Sequence, residues 1–405
     1  MRATFMSAAT AAIRPKPIAK GRFRPELELL LAATAPTSAS ARTPRVGDWI
    51  DQPLDWEILK DLADAHGLGP LLFWTTQKFA ESIPASYLAK LRAHYETNAR
   101  KNLLLSRMLV EVQEVLQRAG VPSLAWKGAT LAACAYCDLA HREFSDIDLL
   151  VHRRDILAAK EILSSAGFRP ALELTAAQER SYLRIDNELP FHRGTHENVL
   201  ELQWRIVPHF YAVDFDLERQ FERAVLTRIG DAEYRTLCPE DLLLTLCVHG
   251  AKHEWARLSW ICDVAWLLRS QNLDWSHIQH EAEMVGVERI LLVTLALTRH
   301  FYGGSLPRFA QAEIADSLEV QRLTLQIADR IVHQRALDIS SPEYFLLMCR
   351  LRERWRDRIR VVQRLLFTPG PGEWATVSLP RALSPMYLAV RGIRLSGKII
   401  AQFRR

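Results

Sequence analysis

The chain has 405 residues, 49% of them apolar, and its 52 basic and 47 acidic side chains leave a formal charge of +5. At roughly 150 residues per domain this length suggests two or three domains. The apolar share excludes wholesale disorder, and 17 Gly and 19 Pro are too few for collagen-like or low-complexity sequence. No stretch reaches the ~18 uninterrupted apolar residues of a membrane span, so a soluble globular protein is expected. Its basic pI of about 8.9 suits a phosphate-bearing partner without establishing one.

Residues 1–45 read as a disordered or weakly ordered tail. The first 25 carry six Lys or Arg and no acid, but no apolar signal core or small-residue cleavage site accompanies them, and cytoplasmic residence is the expectation. Residues 46–120 form an N-terminal helical region. Asp55 is placed to cap a helix from Trp56 to about His66, and Gly67 to end it, because Asp accepts the free N–H groups of a first turn and Gly tolerates the left-handed residue that follows a helix. A second helix is predicted over about 85–118, with Leu104, Met108, Val112 and Val115 as its buried stripe. Gly120 and Pro122 stop it.

The pattern then changes over 121–237. Ser123–Trp126 reads as a strand, 129–137 as a helix, Asp146–Val151 as an apolar strand, 153–166 as a helix closed by Gly167, and 198–206 as a strand. That alternation predicts a small α+β or α/β mixed-sheet core flanked by N-terminal and C-terminal helical regions. From Pro239 the text is helical again through about 366, giving a C-terminal helical region over 238–370 and a basic tail over 371–405. One internal echo links the flanks. Leu54-Asp55-Trp56 is followed by Ala63, Gly67, Leu71 and Leu72, and Leu273-Asp274-Trp275 by Ala282, Gly286, Ile290 and Leu291, at identical offsets. Shared capping grammar accounts for it, and a duplicated helical hairpin is the alternative.

Six cysteines are scattered through mostly apolar helical text. Cys134-x-x-Cys137 lacks a second CxxC and a histidine at zinc-ribbon spacing, so these read as helix-packing thiols. Residues 349–364 hold seven Arg against Glu353 and Asp357. Nucleic acid or a membrane surface could use such a segment and the tail behind it, but the scarcity of aromatic side chains favours a solvated helix face.

The chemistry concentrates in Trp126-Lys127-Gly128-Ala129 and Ser145-Asp146-Ile147-Asp148-Leu149-Leu150-Val151. Alternation along a strand puts Asp146 and Asp148 on one face, with Cα atoms about 6.5 Å apart. Two carboxylates there can share a divalent cation, and hard oxygen donors point to Mg2+ or Mn2+ over zinc. Glu201, between Leu200 and Leu202, offers a third carboxylate, and with Gln203 and Arg205 it makes a polar side to an otherwise apolar strand. Lys127-Gly128 stands where a strand turns into a helix, a place where free N–H groups receive phosphate and Gly permits close approach. His249 and His253 lie one helical turn apart without the glutamate of a zinc-protease motif. With Lys252 and Arg257 they read as a basic helix face that contacts phosphate or acceptor, or as a structural cluster under Trp255 and Trp260.

Taken together, Lys127-Gly128-Ala129-x-Leu131, Tyr136, Arg142, Asp146-Ile147-Asp148-Leu149-Leu150-Val151, Glu201-Leu202-Gln203-Trp204, Pro239-Glu240-Asp241-Leu242-Leu243 and His249-Gly250-x-Lys252-His253-x-Trp255-x-Arg257-Leu258-x-Trp260 resemble the uncharacterised bacterial nucleotidyltransferase family of the polymerase-beta-like superfamily, over roughly residues 50–306. The resemblance implies metal-dependent transfer of a nucleotidyl group from an NTP to an acceptor. Lys127, Gly128, Ala129 and Arg142 would then bind nucleotide. Asp146, Asp148 and Glu201 would be catalytic and ligate Mg2+ or Mn2+, with Glu201 as proton acceptor, and Gln203, Arg205, His249, Lys252, His253 and Arg257 would face the substrates. The acceptor, whether small molecule, peptide, saccharide precursor or protein, is not selected by the sequence.

Three positions depart from the pattern. Ala129 stands where a serine could reach phosphate, Gly128 and Asp146 are 18 residues apart (146 − 128), a longer gap than the superfamily's, and Gln203 replaces a histidine. Ala129 and Gln203 leave open a second function, a binding or scaffold module that turns over little nucleotide. A toxin–antitoxin partner is a third.

Overall fold

The computed structural model describes residues 22–36, 39–339 and 341–367, with five further positions between 386 and 392, and the side chains of 39–44 are outside the described set. Residues 1–21, 37 and 38 of the weakly ordered tail predicted over 1–45, and nearly all of the basic tail over 371–405, therefore lie outside the described residues, but Pro25–Thr34 corrects the prediction: it is a helix whose Leu27, Leu29 and Leu30 are buried in the core.

Seven strands form one mixed sheet: β1 (Ser123–Ala125), β2 (Ile147–Val151), β3 (Arg169–Pro170), β4 (Glu188–Arg193), β5 (His196–Gln203), β6 (Val225–Ile229) and β7 (Ala232–Thr236), in the order β3-β4-β5-β2-β1-β7-β6. β2 runs antiparallel to β1 and parallel to β5, in a register that sets Asp148 beside Glu201. β4 lies antiparallel to β5, with Glu188 opposite Gln203. Ile147, Leu149 and Val151 face an apolar core shared with Leu105, Leu109, Val112 and Leu116 of the long helix Ala85–Arg118 and with Ile156, Ala159 and Leu163. Leu124, Trp126 and Leu150, on the opposite face, join a second core built by helices from both ends of the chain. This is the period-2 logic of a strand buried on both sides.

The helix over 56–66 has the predicted ends. Asp55 accepts from the amides of Glu57 and Ile58 at 3.1 Å each, and Gly67 adopts φ of 64°. Asp274 and Gly286 do the same for Trp275–Val285, with φ of 69° at the glycine. The likeness continues upstream. Pro25-Glu26 and Pro239-Glu240 each open a helix, and the Glu26 carboxylate accepts from the Asp55 amide at 2.9 Å as Glu240 accepts from the Asp274 amide at 3.1 Å. The echo is thus more than capping grammar: a helical hairpin and the helix that tethers it occur twice, and both copies pack in the same core.

The helix Ala85–Arg118 has the predicted bounds, and Met108 and Val112 of its predicted stripe are buried, but Leu104 is 47% exposed and Val115 only half-buried, their neighbours Leu105 and Leu116 facing the core instead. The helix predicted over 129–137 is a short α-turn, Gly128–Leu131, followed by a π-turn, Ala132–Tyr136. Most of the arginines of 349–364 staple the C-terminal helices inward. Arg350 pairs with Glu319 at 2.8 Å, Arg354 with Glu288 at 3.5 Å and Arg364 with Asp214 at 2.6 Å, while buried Arg352 donates to the carbonyls of Ala212 and Val285 at 3.1 and 3.2 Å. All six cysteines are free thiols. No helix among the described residues is long and apolar enough to cross a membrane.

Candidate active site

One face of the central strands ends in a cleft of about 320 Å³. β1 delivers Trp126 and Lys127, β2 delivers Asp146 and Asp148, β5 delivers Glu201 and Gln203, and β4 delivers Glu188. The end of the helix Pro239–Lys252 and the loop after it supply His249, Lys252, His253 and Arg257. Arg142 reaches the same wall from the long loop before β2. Among the residues singled out from the sequence, only Ala129 and Arg205 are absent from this lining. Ala129 packs its methyl into the core beside Phe144, leaving its backbone amide as its only polar donor. Arg205 lies past the end of β5, where strand alternation no longer holds; it donates to the Arg184 carbonyl at 2.7 Å and lines a different cavity with Arg153 and Asp214. Glu188 is a cleft carboxylate that the sequence reading missed.

Gly128 adopts φ of 51° and lies so near β2 that a Cβ would meet the Asp146 carbonyl oxygen at 3.2 Å. Both the backbone sign and the close approach call for glycine. Lys127, just before it, is buried: its Nζ stands 2.7 Å from Asp148 Oδ1 and 4.5 Å from the centre of the Trp126 ring. Burial alone would lower the pKa of this ammonium, but the fields of Asp148, Asp146 and Glu201 outweigh it and hold the group above its ordinary value.

Gln203 organises the acids. Its Oε1 accepts from Trp126 Nε1 at 2.9 Å, which fixes the amide orientation, so Nε2 donates to Asp148 Oδ1 at 2.9 Å and to Glu201 Oε2 at 3.0 Å. Asp146 makes no hydrogen bond to any described residue. Burial, reinforced by Asp148, pushes its carboxyl up to about 6. Burial together with Asp148 and Glu188 pushes Glu201 up to about 8.

His249 and His253 are neutral. Burial first, then neighbouring cations including Lys127 and Lys252, hold His249 well below its ordinary range and bring His253 down to about 3. His253 stacks on Trp260 with centroids 4.9 Å apart, and His249 meets Trp126 and Trp260 edge-on, each at 5.9 Å. The pair is therefore an aromatic wall, and the cations of that wall are Lys252 and Arg257. Trp255 is fully buried behind it, against Gly250, where a Cβ would lie 2.6 Å from the indole nitrogen. Arg142 spends its guanidinium inside the protein: Nε and Nη2 donate to the two oxygens of Asp263 at 2.9 and 3.0 Å, and the Tyr136 hydroxyl donates to the same carboxylate at 2.8 Å.

Asp146, Asp148 and Glu201 fit a divalent cation in donor type, since Mg2+ and Mn2+ take carboxylate oxygen. They also fit in charge, because with Glu188 they outnumber the single ammonium in contact with them. No three acids, histidines or cysteines among the described residues are gathered as a metal cluster. Lys127 and Gln203 occupy the positions between them.

The profile of the uncharacterised nucleotidyltransferase family matches residues 52–303, more than half of the chain. The protein belongs to that family. The matched segment takes in the whole sheet and every side chain of the cleft. No curated protein matches the chain.

Proposed function

We propose that this family member is a metal-dependent nucleotidyltransferase. In this reading Asp146 and Asp148 hold Mg2+ or Mn2+, with Glu201 completing the donor set, and the nucleotidyl donor is an NTP. The observation that carries the reading is the gathering of carboxylates: Asp148 and Glu201 lie side by side on parallel strands, Asp146 lies one step before β2, and burial first, then the neighbouring acids, raise two of the three carboxyls.

The metal, when bound, supplies charge neutralisation at the triphosphate and lowers the acceptor's pKa. The chain's own part is positioning and proton transfer. Gly128 lets phosphate approach the backbone, and Lys252 and Arg257 face the cleft as cations for the phosphates. A bond forms between an acceptor oxygen or nitrogen and the α-phosphorus. The bond to the β-phosphate oxygen breaks, pyrophosphate leaves with that electron pair, and Glu201, once ionised, takes the acceptor's proton.

Calorimetric titration of ATP, GTP, CTP and UTP, with Mg2+ and then with EDTA, tests the proposal on wild type and Asp146→Asn. Asp146 is the informative position because its carboxylate serves no internal hydrogen bond. The expected result is micromolar binding of at least one NTP that requires Mg2+ and disappears in the variant. Binding that ignores EDTA, or that Asp146→Asn retains, refutes the metal assignment. A second reading, a nucleotide-binding module without turnover, is favoured by one observation: Asp148 Oδ1 already receives both Lys127 and Gln203. Under it the NTP binds but no pyrophosphate is released with any acceptor.

A further inference from the structure

A second cavity adjoins the cleft. It measures about 190 Å³, and its walls come from the C-terminal end of the helix Trp56–His66, from the loop 254–257 and from the end of the helix Leu318–Val332 with the turn after it. Arg257 lines both spaces. The intervening backbone is unusual, since Glu254 and Trp255 both take positive φ, 48° and 50°. Non-glycine residues rarely adopt that region, and two in succession cost free energy that the surrounding structure must offset. The kink's effect is to put His253 in the cleft wall and Glu254 in the wall of the second cavity.

The charges there do not cancel. Arg257, Arg330 and Arg335 face one carboxylate, Glu254. Arg257 is exposed and has no ion-pair partner among the described residues, and Arg335 has only Asp329 at 4.0 Å. Glu254 is 6% exposed. One of its oxygens accepts from the Leu337 amide, while Oε2 and the Arg330 Nη1 it faces, 3.8 Å away, are both buried without a hydrogen bond. Buried charged groups left in this state are costly, and such groups elsewhere in proteins are found where a ligand or water completes them. The remaining wall is small and apolar, from Ala65, Ala256, Ile331 and Ala336. A space of this size is below the ~300 Å³ at which pockets begin to enclose drug-sized ligands, so it suits one end of a molecule whose other end passes Arg257 into the cleft.

Building on the nucleotidyl-transfer reading, we infer that this cavity is the acceptor subsite, and that the acceptor is a small molecule bearing a carboxylate or phosphate group on a short apolar stem. The arginine forks, suited to bidentate recognition of either anion, hold that group. Arg257, shared by both spaces, aligns the acceptor's reactive end with the donor.

The test is calorimetric titration of inorganic phosphate and, separately, succinate at low ionic strength. The proteins are wild type, Arg335→Glu, Arg330→Gln and Asp146→Asn. Arg335 is exposed, so its replacement leaves the core intact even if Arg330→Gln fails to fold. Saturable one-to-one binding of at least one anion is expected in wild type and Asp146→Asn, weakened at least fivefold in Arg335→Glu, whose affinity for Mg–NTP stays within twofold of wild type. The anion that binds identifies the acceptor's acidic group. If neither anion binds, as with a macromolecular acceptor, or if Arg335→Glu binds as wild type does, the subsite is refuted. NTP binding without anion binding sinks this inference alone, and anion binding without NTP binding sinks the nucleotidyl-transfer reading and leaves the anion pocket standing.

Discussion

The carboxyl of Glu201 makes the acid surplus measurable as a stability. Burial first, then Asp148 and Glu188, lift its pKa from the ordinary 4.5 to about 8 in the folded chain. Between those values the folded state keeps a proton that the unfolded state has lost. The contribution is therefore fully present below about pH 4.5 and is lost as pH rises through about 8. One proton corresponds to about 1.4 kcal/mol per pH unit, or about 2.3 kcal/mol from pH 6 to 8 once the half-titration at pH 8 is included. Residual solvent contact of Glu201 brings the expectation to about 1–2 kcal/mol. Glu201→Gln removes the titration while keeping the shape and an acceptor oxygen for Gln203. Urea unfolding at pH 6, 7 and 8 in EDTA should show the variant gaining about 1–2 kcal/mol on wild type across that range. His66 and the other perturbed groups outside the cleft titrate in both proteins and drop out of the difference, whereas the repulsion between Glu201 and Asp146 is lost in the variant and belongs to the measured effect. Mg2+ selects the ionised carboxylate, so its stabilisation of wild type should grow with pH and be weaker in the variant. A stability difference that does not change with pH refutes the argument, because Glu201 would then be ionised throughout.

Two structural predictions concern the wall and the loop that frame the acids. Gly250→Ala sets a methyl 2.6 Å from the Trp255 indole nitrogen, and Trp255 is fully buried with no room to retreat. A loss of about 1–3 kcal/mol in thermal or urea unfolding is expected, as for overpacking elsewhere; a neutral result would mean that the His-Glu-Trp turn is free to move. Asp263→Asn deprives buried Arg142 of its bidentate partner and should cost about 3–5 kcal/mol, while Arg142→Met/Asp263→Leu should recover most of that loss because no charge is left unpaired. A double variant as unstable as the single one refutes this account of the clamp.

The sequence made legible those parts of the site that obey one local rule. Alternation in Ile147–Val151 and Val199–Gln203 placed Asp148, Glu201 and Gln203 on the polar side, and cap chemistry at Asp55 and Gly67 fixed a helix end to end. Glu188 was hidden because Pro190 follows it closely, and proline speaks against a strand within a sheet. The structure shows how the strand tolerates it. The Pro190 carbonyl accepts from Ala171 on the β3 side, so the missing N–H also faces that side, where β3 is only two residues long, and no bond to β5 is lost. The hairpin of β6 and β7 did carry a signal, Ile229-Gly230-Asp231-Ala232, a two-residue turn with Gly230 at φ of 61°. In the helix Ala85–Arg118, Met108 and Val112 were read correctly and Leu104 was not, because Leu103, Leu104 and Leu105 are adjacent and composition alone does not say which of three leucines faces inward. Asp146 and Asp148 are equivalent in sequence. Only the structure separates the free carboxylate from the one already held by Lys127 and Gln203.

The long gap between Gly128 and Asp146 finds its explanation in the helical regions. Asn98 and Asn102, on the helix Ala85–Arg118, donate to the Arg142 carbonyl at 3.1 and 2.8 Å, and Asn102 also donates to the Leu139 carbonyl at 2.6 Å. From the other side, Asp263, on the helix Leu258–Ser270, holds Arg142 and Tyr136. The loop is thus clamped between one helix from each flank. A seventeen-residue excursion left in water would carry the entropy of an open chain into the cleft wall, whereas here the flanks hold two of its carbonyls, Leu139 and Arg142, and its one buried cation. The sheet supplies the acids, and the helices fix the loop and the cationic wall that face them. Truncating the C-terminal flank to isolate the sheet would remove the far side of the cleft together with Asp263, the partner that keeps Arg142 buried, and truncating the N-terminal flank would remove Asn98 and Asn102, which hold the loop backbone.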